Sequence, residues 1–77
     1  MTNYKAIVTF QNGAHMILRM TRDLVAKFVT RFREMQKTPY KDLYAWNTSG
    51  DEYILMNGIR SVKFIDEYRG SELLTIS

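Results

Sequence analysis

A chain of 77 residues with no cysteine and one histidine excludes a disulfide-stapled scaffold and a thiolate metal site, and leaves too few imidazoles for a histidine cluster. Apolar residues make up 45% of it and the formal net charge is +3, the balance of one small folded domain spanning residues 1–77. No uncharged run reaches membrane-spanning length, and Met1-Thr2-Asn3-Tyr4-Lys5 leads into an alternating pattern instead of an apolar signal core, so a cytoplasmic location with no membrane contact is expected.

The first strand is predicted over Asn3 to Phe10, with Tyr4, Ala6, Val8 and Phe10 on one parity. The second covers Ala14 to Met20, with Met16, Leu18 and Met20. A two-residue Asn12-Gly13 turn would send the better apolar sets of these strands to opposite faces. A three-residue loop with Gly13 in the left-handed bulge position keeps them together and predicts Phe10 opposite Met16 and Val8 opposite Leu18.

Thr21 is the expected N-cap of a helix from Arg22 to Lys37, with Asp23 in the first turn and Pro39 beyond the end. Leu24, Val25, Phe28, Val29, Phe32 and Met35 recur at helical spacing on one arc, which reads as a core stripe. Leu43 to Thr48 and Glu52 to Met56 then read as a second hairpin across Ser49-Gly50-Asp51, with Tyr44 and Trp46 grouped with Ile54 and Met56. A last strand is expected from Ile59 to Glu67 after an Asn57-Gly58 turn. Residues 69–77 fit an edge strand, a docking segment or a frayed tail equally well.

These elements predict an α+β domain of two layers in the order ββαβββ, an antiparallel sheet with one amphipathic helix packed on one face. The inward set is Val8, Phe10, Met16, Leu18, Trp46, Ile54, Val62 and Phe64. Opposite parity leaves Ile7, Ile17, Leu43, Tyr53, Leu55, Ile59 and Ile65 among Lys5, Thr9, Arg19, Ser61 and Lys63. A single helix covers one face, so Ile7, Ile17, Tyr53, Leu55 and Ile65 are the expected protein interface, either of a homodimer or toward a different protein target. Edge strands offer a second route, expected at Asn3 to Phe10 or at the C-terminal strand.

Catalytic chemistry has no support in the residues. His15 lacks spaced ligand companions, so no metal or other cofactor is expected. Asp51-Glu52 and Asp66-Glu67 are adjacent pairs, which in a strand point to opposite faces and suit solubility charges at turns better than a shared acid–base site. Neither a nucleophile elbow nor a phosphate-cradling glycine loop occurs, and no small-molecule substrate is indicated.

Charge is unevenly spread. Residues 19–41 carry Arg19, Arg22, Lys27, Arg31, Arg33, Lys37 and Lys41 against Asp23 and Glu34, while residues 42–77 carry Asp42, Asp51, Glu52, Asp66, Glu67 and Glu72 against Arg60, Lys63 and Arg69. Lys27, Arg31, Arg33 and Lys37 are therefore the candidate nucleic-acid contacts, with Tyr40, Tyr44, Trp46, Tyr53 and Tyr68 as stacking platforms. Asp23 and Glu34 interrupt the helix's basic stripe, and Asp23–Lys27 and Arg31–Glu34 are spaced for surface ion pairs.

The opening Tyr4-Lys5-Ala6-Ile7-Val8-Thr9-Phe10-Gln11-Asn12-Gly13 hairpin, the single central helix and the closing Ile59, Val62, Phe64, Ile65 pattern resemble the very small proteins encoded by phages and plasmids of Gram-positive bacteria. The resemblance implies a non-enzymatic accessory protein that modulates or inhibits a host macromolecule by association, and it assigns no site residues. Inhibitors of that kind that mimic DNA tend to be strongly acidic, whereas this chain is basic, so blockade of a protein surface or direct nucleic-acid contact is the expectation. A small nucleic-acid-binding protein and an assembly component of a phage-type particle are the alternatives.

Overall fold

The computed structural model describes residues 3–48 and 52–77. Strands β1 (Asn3–Phe10) and β2 (His15–Thr21) lead into helix α1 (Arg22–Lys37). A 3₁₀ turn at Lys41–Leu43 precedes β3 (Ala45–Asn47) and β4 (Tyr53–Leu55), and a second at Met56–Gly58 precedes β5 (Ile59–Asp66) and β6 (Glu72–Ile76). The fold is α+β, and the expected ββαβββ order is present with β6 added at its end. The strands divide into a four-stranded antiparallel sheet in the order β2-β1-β5-β6 and a separate two-stranded sheet, β3-β4.

The loop Gln11-Asn12-Gly13 closes the first hairpin as the turn chemistry requires. The Gly13 N–H donates to the Phe10 carbonyl at 3.0 Å and the Phe10 N–H to the Ala14 carbonyl at 2.9 Å, with Gly13 at φ +89. Phe10 and Ala14 are thus the closing pair, so Val8 faces Met16 and Ala6 faces Leu18. This corrects the expected Val8–Leu18 and Phe10–Met16 pairing by two residues, and because a two-residue shift preserves parity the same side chains stay inward. A Cβ at position 13 would meet nothing within 4 Å, so Gly13→Ala should cost only the left-handed backbone penalty of about 1–2 kcal/mol, read as a fall in the urea midpoint with an unchanged slope.

Helix α1 occupies the predicted range. The Leu24 N–H reaches the Thr21 hydroxyl oxygen at 3.4 Å. At the other end the Lys41 ammonium donates to the carbonyls of Met35, Gln36 and Thr38 at 3.3, 2.9 and 3.1 Å, placing a cation where the helix leaves its acceptors unpaired. Val25, Phe28, Phe32 and Met35 are buried against Ala6, Val8, Val62 and Phe64, while Phe10, Met16, Leu18, Val29, Tyr44 and Trp46 pack at the margin. Phe28 is the joint between layers: its ring meets Trp46 edge-on at 4.9 Å, Phe64 edge-on at 5.9 Å and Phe32 stacked at 6.5 Å.

Three expectations are corrected, and one of the readings open for residues 69–77 is found. Strand β1 is not an edge, because β2 and β5 flank it on both sides; its fully buried Ala6 and Val8 mark it as the covered centre of the sheet. Ile59 is buried instead of facing outward, because the β1–β5 ladder shifts register between Thr9 and Phe10, pairing Thr9 with Ser61 but Phe10 with Ile59. That irregularity lets Arg60 bulge out to donate to the Gln11 carbonyl at 3.2 Å and turns Ile59 inward. Leu43 lies in a 3₁₀ turn and not in a strand. Residues 72–76 form an edge strand whose Ile76 is buried, with a second register shift at Leu73 between the Phe64–Leu74 and Ile65–Glu72 pairs. The Ser49-Gly50-Asp51 turn and Asp51 of the first acidic pair lie outside the described residues. Asp66 has a structural role, its carboxylate accepting from the Tyr68 and Arg69 N–H groups at 2.8 and 3.1 Å to shape the turn into β6.

Candidate functional site

Helix α1 and the β3–β4 hairpin lie on the core side of the four-stranded sheet, and the other side is open. Cross-strand rows define it: Ile17, Ile7, Lys63 and Thr75 form one row, and Arg19, Lys5, Ile65 and Glu72 the next. Ile7 and Ile17 are directly paired and Ile65 is their diagonal neighbour. Ile17 is 63% exposed, while Ile7 and Ile65 are half-buried by their neighbours. Two ion pairs frame the isoleucines. Arg19 Nε lies 2.8 Å from Glu67 Oε1, reaching across β1, and Lys63 Nζ lies 3.8 Å from Glu72 Oε1. Lys5, on the central strand β1, completes a face on which the three isoleucines are interleaved with charged residues. At its far end His15 is exposed, its Nδ1 3.2 Å from the Thr9 hydroxyl.

Tyr53 and Leu55 belong elsewhere. They share the outer side of β4 in the smaller sheet, 67% and 57% exposed, while Ile54 between them is buried. The five residues expected to form one interface therefore divide into Ile7, Ile17 and Ile65 on the open face and Tyr53 with Leu55 on the hairpin. Alternation within each strand puts all five on an outer side, but parity has no information about which sheet a strand joins.

Lys27, Arg31, Arg33 and Lys37 are all exposed on α1, and two of them already have partners. The Arg31 guanidinium sits 5.1 Å over the Tyr44 ring and donates to the Ala45 carbonyl at 3.4 Å. Arg33 donates to Gln36 Oε1 at 2.9 Å and to the Ser77 carbonyl at 3.2 Å. These contacts tie the helix to the small hairpin on one flank and to the end of β6 on the other. Neither Asp23–Lys27 nor Arg31–Glu34 is among the ion pairs of the described residues, which corrects that expectation: Arg31 is drawn toward Tyr44 and Ala45. Trp46 is committed to Phe28, so the aromatic platforms are not assembled along one basic track.

A feature absent from the sequence reading is the free edge of β2. Beside it runs a cleft of about 630 Å³ lined by Ile17, Leu18, Arg19, Met20, Leu24, Trp46, Asn47 and Thr48. Leu24, counted by spacing as core, is 38% exposed at its wall. Among the described residues no group of three or more His, Asp or Glu side chains gathers in metal-binding geometry, and no helix is long and apolar enough to cross a membrane. Among the described residues Arg19 is the one charged residue lining the β2 cleft, and the rest of its lining is largely apolar. The chain matches no protein-family model, no curated protein and no solved structure.

Proposed function

We propose that this chain is a non-enzymatic protein-binding module that acts by associating with another polypeptide through the open side of its four-stranded sheet. The observation that supports the reading is the Ile17–Ile7–Ile65 cluster, with Ile17 on edge strand β2 63% exposed, on a face that neither the helix nor the small hairpin covers. Isoleucines interleaved with charges suit a specific protein interface, in which the apolar contacts supply affinity and the charges supply orientation. The sequence resemblance to small phage- and plasmid-encoded proteins is in keeping with an accessory factor that modulates a host protein by occupying its surface. Nucleic-acid contact through α1 has less support, because Arg31 and Arg33 are engaged within the fold and Lys27 and Lys37 stand ten positions apart, about 15 Å along the helix.

The test is paired capture from a bacterial extract with the wild-type chain, Ile17→Lys and a Lys27→Ala/Lys37→Ala variant, washed across a salt series. Ile17 is exposed at a strand edge, so Ile17→Lys should leave folding within about 0.5 kcal/mol of wild type while removing the retained protein. The double alanine variant should retain it. Retention of nucleic acid that falls steeply with salt and disappears with the double variant would replace this reading with the nucleic-acid one.

A further inference from the structure

The four-stranded sheet ends in two edges that complement each other, and we infer that a second copy of this chain docks its β6 edge onto the free β2 edge. The inference rests on the association-module reading and names the partner for the cleft beside β2. Hydrogen-bond alternation fixes which main-chain groups are unpaired. The Phe10 N–H bonds to the Ala14 carbonyl, so the groups of Met16, Leu18 and Met20 turn toward β1 and those of His15, Ile17 and Arg19 face outward. On the opposite side the Glu67 N–H bonds to the Asn3 carbonyl and the Asp66 N–H to the Ser71 carbonyl. Phe64 and Val62 therefore bond to Leu74 and Ile76, and the main-chain groups of Thr75 face outward.

Strand direction agrees. All three ladders are antiparallel, so β6 runs opposite to β2, and a copy displaced sideways by one sheet width presents its β2 antiparallel to the first copy's β6. Setting Thr75 opposite Ile17 of the second copy lets the two unpaired residues exchange hydrogen bonds. The same register puts Leu74 beside Leu18 and Ile76 beside Met16 on the core side. On the open side it brings Arg19, 77% exposed in its side chain, into the row of Glu72, 53% exposed. Leu74 and Leu73 at the β6 edge are both exposed, and the cleft along β2, walled by Leu18, Leu24 and Trp46, has room for them.

Charge favours this pairing over the symmetric β2–β2 one. Among the described residues Arg19 is the one charged residue lining the cleft, and its 77% exposed side chain, already beside Glu67, leaves guanidinium N–H groups for a second acid on an incoming strand. Two β2 strands centred on Ile17 would set His15 against Arg19. Strand β2 also lacks the bulge or proline that blunts a free edge, its ladder with β1 running without a register shift. A β2–β6 contact is heterologous, so the copies form a row or close into a ring.

The chain has no cysteine, so single introduced thiols report the register. A hydrogen-bonded antiparallel pair holds its Cα atoms about 5.5 Å apart, within the roughly 4.4–6.8 Å that a disulfide spans. Ile17→Cys and Thr75→Cys proteins, mixed and oxidised in a glutathione buffer, should yield the mixed disulfide dimer in excess of either homodimer. Wild-type chain should gain mass with concentration in sedimentation. Thr75→Pro, which removes only an outward N–H, should keep the wild-type circular dichroism and sediment as a monomer. A dominant Ile17→Cys homodimer would mean β2–β2 pairing and overturn the inference, as would unchanged assembly of Thr75→Pro or a wild-type monomer at about 1 mM. Loss of the mixed disulfide with Ile17-dependent capture intact would refute the edge contact alone, and the reverse result would refute the open-face reading alone.

Discussion

Phe28→Ala should leave the chain without a cooperative unfolding transition at room temperature. The Phe28 ring is fully buried, and it touches the helix stripe, the small hairpin and the large sheet together through Phe32, Trp46 and Phe64. Truncating a buried phenylalanine costs about 3–5 kcal/mol, and each aromatic pairing lost adds about 0.5–1.5 kcal/mol. A domain of this length has about 4–12 kcal/mol in total, so the loss consumes much or all of it. Trp46 is the sole tryptophan and packs edge-on against Phe28, so its fluorescence is a direct reporter. The variant should emit like an unfolded chain without denaturant, whereas Phe28→Leu, which refills most of the space, should keep a sigmoidal urea melt. A Phe28→Ala protein with a wild-type midpoint would show that the layers are held together elsewhere.

The parts of the fold readable from the chain are those governed by local chemistry. Thr21, Asp23 and Pro39 bracket α1, and a strict apolar arc fills the interval, so the helix bounds follow from capping and periodicity alone. Gly13 sits at positive φ because the three-residue loop demands it. Strand order is a different kind of information: whether β1 pairs with β5 depends on contacts between residues some sixty positions apart, which no local pattern encodes. The irregular points are where parity fails. Ile59 has outward parity and is buried, because a one-residue slip in the ladder reverses every side chain beyond it. Leu73 breaks the alternation of β6 in the same way, which is why residues 69–77 read as strand, docking segment and tail with equal force.

The binding surfaces were legible to the same extent. Ile7, Ile17 and Ile65 follow from alternation within strands that do join one sheet. Tyr53 and Leu55 obey the identical rule, yet the chain between α1 and β5 folds back on itself as a separate ribbon, and their exposure belongs to a different side of the molecule. The four helix cations were visible as charges, but their engagement was not: Arg31 turns to Tyr44 and Ala45, and Arg33 to Ser77, through contacts that span the fold. The β2 edge and its cleft emerge only when strand order is known, since an edge is defined by the neighbour a strand lacks.

Ile76→Ala should cost about 2–5 kcal/mol, and removal of residues 70–77 should abolish folding, which makes the last strand part of the core and not an appendage. Ile76 is 2% exposed and pairs across the ladder with the fully buried Val62. Next to it Leu74 pairs with Phe64, and the Ser77 carbonyl accepts from Arg33 and Gln36 at 3.2 and 2.9 Å, so the strand is tied to β5 on one side and to the end of α1 from above. Without it the backbone groups of Val62 and Phe64 lose their partners and the helix loses its anchor beyond Arg33. With a urea slope of about 1 kcal/mol per molar for so small a domain, Ile76→Ala should lower the midpoint by about 2–5 M. Leu73→Ala, at the exposed bulge two residues before Thr75, should move it by less than about 0.5 M, within the range of surface substitutions. Equal effects at the two positions would mean that β6 lies against the sheet without being packed into it, and would remove the rigid edge on which docking to a second copy depends.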